Sequence, residues 1–234
     1  MKIDMPYVKQ VSDMPFCGVA CLSMIYEKKY HEDAIQHVLW NLVKKQSPNG
    51  REYCGTSELC LNAINMGYVT MTIKARDPIS MFEFCLSNQI DLIILHHQKI
   101  GDTLAHFSVL TGIENDTIFV NNPDGSSNTN GQTLGYERNE LFDLMLGSGE
   151  TDEIPSGSRI VIAVSERTNT LLLAGDFPYF NCPHEDCNEI ITIIKSLADK
   201  IQTHESLYIV CPHCDKDIVF QPLAPPPPPV SGAG

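Results

Sequence analysis

Basic residues are scarce in this chain. Sixteen lysines and arginines stand against 29 aspartates and glutamates, for a formal net charge of −13. A general nucleic-acid binder would show a basic stripe, and none is present. Long apolar runs are missing too. Nothing approaches the roughly 18 consecutive apolar residues of a membrane helix, and the longest runs, near 92–95 and 160–164, are of strand length. Met1-Lys2-Ile3-Asp4-Met5-Pro6 lacks the apolar core of a secretory signal. There are no internal repeats. These absences lead to the expectation of a cytoplasmic protein without nucleic-acid or membrane partners. Nine cysteines is an odd number, which argues against a closed disulfide framework and for reduced thiols. The 43% of apolar residues is enough to bury a core for one large domain plus a small module, so neither needs disulfide staples.

The hydrophobic pattern reads as a helical first half and an antiparallel-sheet second half, an α+β arrangement. Helices are expected over 18–29 and 31–45, the second with Ile35, Val38, Leu39, Leu42 and Val43 on its apolar face. A third, over 56–66, takes Thr56 as its N-cap, and a fourth opens at Asp77-Pro78. Residues 68–75 alternate as a half-buried strand. Further strands are expected over 90–97, 105–113, 117–121 and 160–164, with a helix over 138–146 and a surface loop over 122–131. The domain divisions expected are 1–168, 176–223 and a disordered proline-rich tail over 224–234, with five consecutive prolines at 225–229.

One stretch carries unusual chemistry. Gln10 stands seven residues before Cys17, which is followed by Gly18 and an apolar helical run. A thiol in the first turn of a helix feels partial positive charge that favours thiolate. A side-chain amide just upstream can donate to an oxyanion. The same segment also reads as a core cysteine in an amphipathic helix. A nucleophile needs a base, and His106 opens the strand over 105–113 while Asn122 follows the next strand. Antiparallel pairing brings those two ends together, where an amide can fix the imidazole. Asp124 ranks second for that role, and Asn121 third because alternation turns it to the other face. Cys21, Cys60 and Cys85 read as core, and Cys54 as a loop residue. Of His96 and His97, one should face in and one out.

Taken in order, Pro6-Tyr7-Val8-Lys9-Gln10, Cys17-Gly18-Val19-Ala20-Cys21, His106-Phe107-Ser108-Val109-Leu110-Thr111-Gly112 and Asn122-Pro123 resemble the papain-like cysteine peptidases that process bacteriocin leaders, the double-glycine peptidase family. The likeness spans roughly 5–165 as an order of blocks. It implies a papain-like cysteine peptidase fold, with Gln10 as oxyanion donor, Cys17 as nucleophile, His106 as general base and acid, and Asn122 as the orienting group. It also implies a peptide or protein substrate with small residues such as Gly before the scissile bond. Asn122 departs from the family, which usually has Asp there. An acyl-enzyme of this kind also serves a transpeptidase, a transglutaminase or a deamidase, and the fold can serve as a non-catalytic scaffold.

The second half holds Cys182 and Cys187, then Cys211 and Cys214. Two such pairs can give four thiolates to a tetrahedral ion, and the pattern resembles a zinc ribbon with structural Zn2+. Between the pairs, 189–203 reads as a helix with Ile190, Ile193, Ile194, Leu197 and Ile201 on one face. The ribbon and the proline-rich tail are the places where a protein partner would bind.

Overall fold

The computed structural model describes residues 1–11, 15–31, 35–125, 133–147, 158–166, 179–203 and 207–220. In chain order these form α1 (Cys17–Tyr30), α2 (Gln36–Val43), β1 (Lys44–Gln46), β2 (Glu52–Cys54), α3 (Thr56–Asn65), β3 (Tyr68–Ala75), α4 (Pro78–Ser87), β4 (Asp91–His96), β5 (His106–Glu114), β6 (Thr117–Asn121), β7 (Thr133–Glu137), α5 (Arg138–Leu144), β8 (Arg159–Glu166), β9 (Tyr179–Asn181), β10 (Ile190–Thr192), α6 (Lys195–Thr203), β11 (Leu207–Val210) and β12 (Asp217–Phe220).

An antiparallel sheet of eight strands, in the order β12-β11-β3-β8-β4-β5-β6-β7, organises the chain. Period-two alternation sends Ile93, Phe107, Val109, Ile162 and Val164 to one face, under α1, α2 and α3. Leu92, Ile94, Leu110, Val161 and Ala163 go to the other face, under α4, α5 and the C-terminal segment. Both faces are therefore buried. This is why β4 and β5 read as near-continuous apolar runs, and why β3 is buried along its length rather than half-buried as its alternation suggests.

The α+β expectation holds, with local corrections. The second helix is shorter than its periodicity suggests, and only part of its expected apolar face is buried. It stops at Val43, where the chain becomes extended and β1 pairs with β2 around Ser47–Gly50. Leu39, Trp40 and Val43 face inward, while Ile35, Val38 and Leu42 are 65%, 55% and 67% exposed. Trp40 decides the orientation: its ring packs on Phe16 with centroids 4.9 Å apart, and one indole outweighs the smaller aliphatic stripe. The N-cap of α3 is Gly55 rather than Thr56, because Glu58 Oε2 accepts the Gly55 N–H at 3.2 Å. Strand β7 lies at the end of a turn-rich stretch, where its pattern is lost.

Residues 189–203 are not one helix. Ile190–Thr192 pairs with Tyr179–Asn181, and the helix begins only at Lys195. β-branched Ile and Thr in succession favour the pleated strand over a helix start. The following hairpin, β11–β12, extends the main sheet: Ile209 pairs with Ile73 and Val210 with Thr72. The C-terminal segment thus shares both sheet and core with the first part of the chain. The 122–131 loop beyond Gly125, the run Glu150–Glu153 and the tail over 224–234 lie outside the described residues. Among the described residues, no helix is long and apolar enough to cross a membrane.

Candidate active site and thiolate cluster

Helix α1 starts without a side-chain cap, at Phe16. Its first N–H groups are left to the thiol. Cys17 Sγ accepts from the backbone N–H groups of Cys17 and Gly18, and from that of Phe107 on β5. Burial pushes the Cys17 thiol up, and these three donors offset only part of that; the Asp124 carboxylate raises it further. Gly18 is required here. A Cβ would lie 2.9 Å from Cys54 Sγ, 2.9 Å from Leu59 Cδ1 and 3.1 Å from Phe107 Cδ2. Cys54 ends β2 and stands at the wall of the site, where burial raises its thiol to about 12. Cys21, Cys60 and Cys85 are buried in the core.

His106 precedes Phe107 and is buried at the start of β5. Its Nε2 lies 2.8 Å from Asn122 Oδ1. The backbone N–H of Asp124 donates to the same Oδ1 at 3.0 Å, which marks that atom as the oxygen. Nε2 must therefore carry the proton, and Nδ1 is left as the basic lone pair. Burial lowers the His106 imidazole below its ordinary value, while the Asn122 hydrogen bond and the Asp124 carboxylate raise it. Among the described residues, Cys17 and His106 do not hydrogen-bond directly; strand β5 links them through the Phe107 N–H. Free enzymes often hold such pairs loosely until substrate binds.

Gln10 lies beside the turn that follows Asn122. Its N–H donates to Pro123 O at 2.9 Å, and its Oε1 is buried with no hydrogen-bond partner among the described residues. Residues 12–14, between it and Cys17, are not described. Tyr7 Oη donates to Asn122 O at 3.2 Å. Asn121 faces the other way, as alternation requires. Its Nδ2 donates to Met5 O and Pro6 O at 3.2 and 3.4 Å, and its Oδ1 accepts from Thr133 Oγ1 at 3.0 Å.

Sequence reasoning missed Gln98. Its Nε2 donates to Asp124 Oδ2 at 3.0 Å and stands 3.5 Å from His106 Nδ1. Nothing in its exposed loop signals this, since only the fold brings 98 beside 124. His96 is the inward member of its pair, fully buried, with Nδ1 donating to His97 O at 2.7 Å and Nε2 accepting from Ser108 Oγ at 2.9 Å.

At the other edge of the sheet, the sulfurs of Cys182, Cys187, Cys211 and Cys214 all lie within 4.8 Å of one another. Cys182–Cys214 and Cys187–Cys211 are each 3.8 Å apart. A tetrahedral ion with sulfurs at about 2.3 Å sets them about 3.8 Å apart, so the donor set can hold a metal ion. Turns shape both knuckles. The Asp215 N–H donates to Cys211 O at 2.9 Å, and Asp215 takes a left-handed φ of 59°. His184 Nε2 donates to Asp217 O at 2.9 Å, which occupies that nitrogen.

Comparison with known proteins bears on this arrangement. No curated protein matches the chain. Among solved structures it is similar to the peptidase domain of Streptococcus ComA, a bifunctional ABC transporter of a quorum-sensing pathway, with 21% identity over 68% of this chain and 97% of that one and a TM-score of 0.47. It is also similar to a double-glycine-motif protease from an AMS/PCAT transporter, solved with the leader peptide, at 16% identity, 71% and 94% coverage and a TM-score of 0.46. A C39-like peptidase from Bacillus anthracis shows 13% identity, 72% and 99% coverage and a TM-score of 0.46. Residues 4–137 match the Peptidase C39 family. That match spans more than half of the chain and takes in α1, β5 and the end of β6, so the chain belongs to the Peptidase C39 family of papain-like cysteine peptidases.

Proposed function

We propose that Cys17 is the nucleophile, His106 the general base and acid, Asn122 the group that orients the imidazole, and Gln10 the oxyanion donor. The observation that carries this reading is the His106–Asn122 hydrogen bond of 2.8 Å, whose geometry leaves Nδ1 unprotonated. Burial raises the thiol and lowers the imidazole, and both shifts favour the neutral pair over the ion pair. The thiol proton passes to Nδ1 as sulfur attacks the carbonyl carbon. The resulting oxyanion is held by the Gln10 amide and by N–H groups at the start of α1. The imidazolium then gives its proton to the departing amine. Water resolves the thioester and regenerates the thiol. The substrate is a peptide or protein amide bond with a small residue such as Gly before it, as the sequence motifs imply.

Zinc is the ion we assign to the four cysteines, since four thiolates at tetrahedral spacing suit a closed structural site. Cys182, Cys187, Cys211 and Cys214 would hold it, and it would supply folding energy rather than chemistry. The division at 168 and 176 thus separates two chemistries that share one sheet. A reducing, cytoplasmic setting suits a protein whose nucleophile and metal centre both need free thiols. The ribbon and the tail are where we expect a protein partner to bind.

An electrophilic peptide ending in Gly tests the assignment. It should label the natural protein at Cys17 and leave Cys17→Ala unlabelled. Labelling that persists in Cys17→Ala would remove Cys17 from the role.

A further inference from the structure

An amide can aim an imidazole but cannot neutralise its positive charge. Asn122 is therefore half of what a base needs when the proton arrives on Nδ1 and the ring becomes imidazolium. The other half must come from a carboxylate close by, and the groups around His106 identify it. On α1 stands Cys17, where burial raises the thiol and so disfavours a thiolate beside the ring. On β4 stands His96, packed edge-on against His106 with centroids 5.5 Å apart and kept neutral down to about 4 by burial. On the N-terminal segment stands Tyr7, raised and neutral. Tyr136 on β7 lies behind His96 and is raised as well. Lys9 is exposed, with its stem over Gly125. That leaves Asp124 as the anion facing the ring among the described residues.

Asp124 is held there at two points. Its backbone N–H donates to Asn122 Oδ1 at 3.0 Å, the atom that also takes the His106 proton. Its Oδ2 accepts at 3.0 Å from Gln98 Nε2, which itself stands 3.5 Å from His106 Nδ1. One amide nitrogen thus spans the gap between the carboxylate and the ring. We propose that the orienting function is split in this protein: Asn122 supplies direction, Asp124 supplies the charge that stabilises the imidazolium, and Gln98 holds Asp124 at the ring. Asp124 and Gln98 are positioning residues. The proton moves from Cys17 Sγ to Nδ1, and the Asp124 carboxylate takes no part in the transfer. The inference rests on His106 being the base.

The substitution Asp124→Asn isolates the charge, because the backbone donor to Asn122 and an oxygen acceptor for Gln98 are both kept. NMR titration of the His106 ring in the full chain, in a Cys17→Ala background, reads its protonation without any substrate. The midpoint should fall by about half a unit or more in Asp124→Asn, as expected for loss of a nearby opposite charge. Moving the charge, in Asn122→Asp with Asp124→Asn, should restore it. With Cys17 present, Asp124→Asn should lower kcat by about threefold to tenfold on the pH plateau at unchanged KM, with the loss smallest on the acid side, where the lower His106 midpoint keeps the base unprotonated. An unmoved His106 midpoint in Asp124→Asn overturns the split. A midpoint that moves in a protein whose Cys17 takes no acyl label supports the split while removing the peptidase assignment, so the two failures are distinct.

Discussion

In the first turn of α1, the Cys17 sulfur gathers two N–H groups of its own helix and one from β5. Across the sheet, Cys182, Cys187, Cys211 and Cys214 gather only one another, with four sulfurs inside 4.8 Å. Strands β3, β8 and β4 stand between β11, which leads into the second centre, and β5, which carries His106. At about 4.8 Å per strand that is roughly 19 Å. One centre surrounds a thiol with donors, as the nucleophile proposed for it requires. The other has the spacing that a single ion would fill. The first should fail chemically with little loss of fold, and the second should fail structurally with no direct loss of chemistry.

The sharpest break is His106→Ala. Removing the base should cost about 10³-fold in kcat/KM, or about 4 kcal/mol of transition-state stabilisation. The ratio of bound metal to protein should change little, whatever stability the lost imidazole packing costs. Steady-state kinetics beside metal analysis of the same sample checks both. Equal loss of metal and turnover would show that the two centres are not separable.

Metal removal is the converse. If zinc binds only the folded chain, free ion about a thousandfold above its Kd stabilises the protein by about 4 kcal/mol. A chelator should lower the denaturation midpoint accordingly, and added zinc should restore it. Because Cys182 and Cys211 belong to the shared core, the loss should reach the main sheet rather than stay in the knuckles. Unchanged denaturation curves with and without chelator would refute the assignment.

The two centres also differed in how far they were legible. The four cysteines could be read from spacing alone, since a knuckle is local in sequence. Cys17, His106 and Asn122 needed a topology, and the pairing of β5 with β6 supplied it. Gln98 stayed hidden because it joins the site through a loop, without periodicity or motif. Strand β10 was hidden because Ile190, Ile191, Ile193 and Ile194 fit a helical stripe as well as a strand, and only pairing with β9 decides. The shifted face of α2 has the same origin: periodicity locates an apolar stripe, and the packing of Trp40 decides which part of it is buried.

His96 separates fold from chemistry within the first centre. Its Nδ1 donates to a carbonyl and its Nε2 accepts from Ser108, so the neutral ring is fully satisfied. Burial lowers it to about 4, whereas in the unfolded chain it takes a proton near 6.5. Its contribution is complete above pH 6.5 and is lost as pH falls toward 4, for a total of about 3 kcal/mol. His96→Gln should flatten the fall in unfolding free energy over that window. Asp91 is raised by burial and opposes the trend at the acid end, so the difference between variant and natural protein is the quantity to read. A difference that does not depend on pH would mean that His96 takes up its proton alike in the folded and unfolded chains.

The smallest effect lies at a hydrogen bond that links the two centres through α3. Ser57 Oγ, on the second residue of α3, donates to Asp215 Oδ1 at 2.6 Å, next to Cys214. The same helix packs Leu59 against Gly18, beside Cys17. This is a contact path from one centre to the other, and a path is not in itself a coupling. Asp215 is exposed, so Ser57→Ala exchanges a half-hydrated hydrogen bond for water on one side and a buried methyl on the other. The expected cost is about 1 kcal/mol of stability. Separable centres require more than that small number: the alkylation rate of Cys17 should stay the same in Ser57→Ala, with metal still bound. A slower alkylation at full metal occupancy would mean that the knuckle reaches the nucleophile through α3, and that the two centres form a single device.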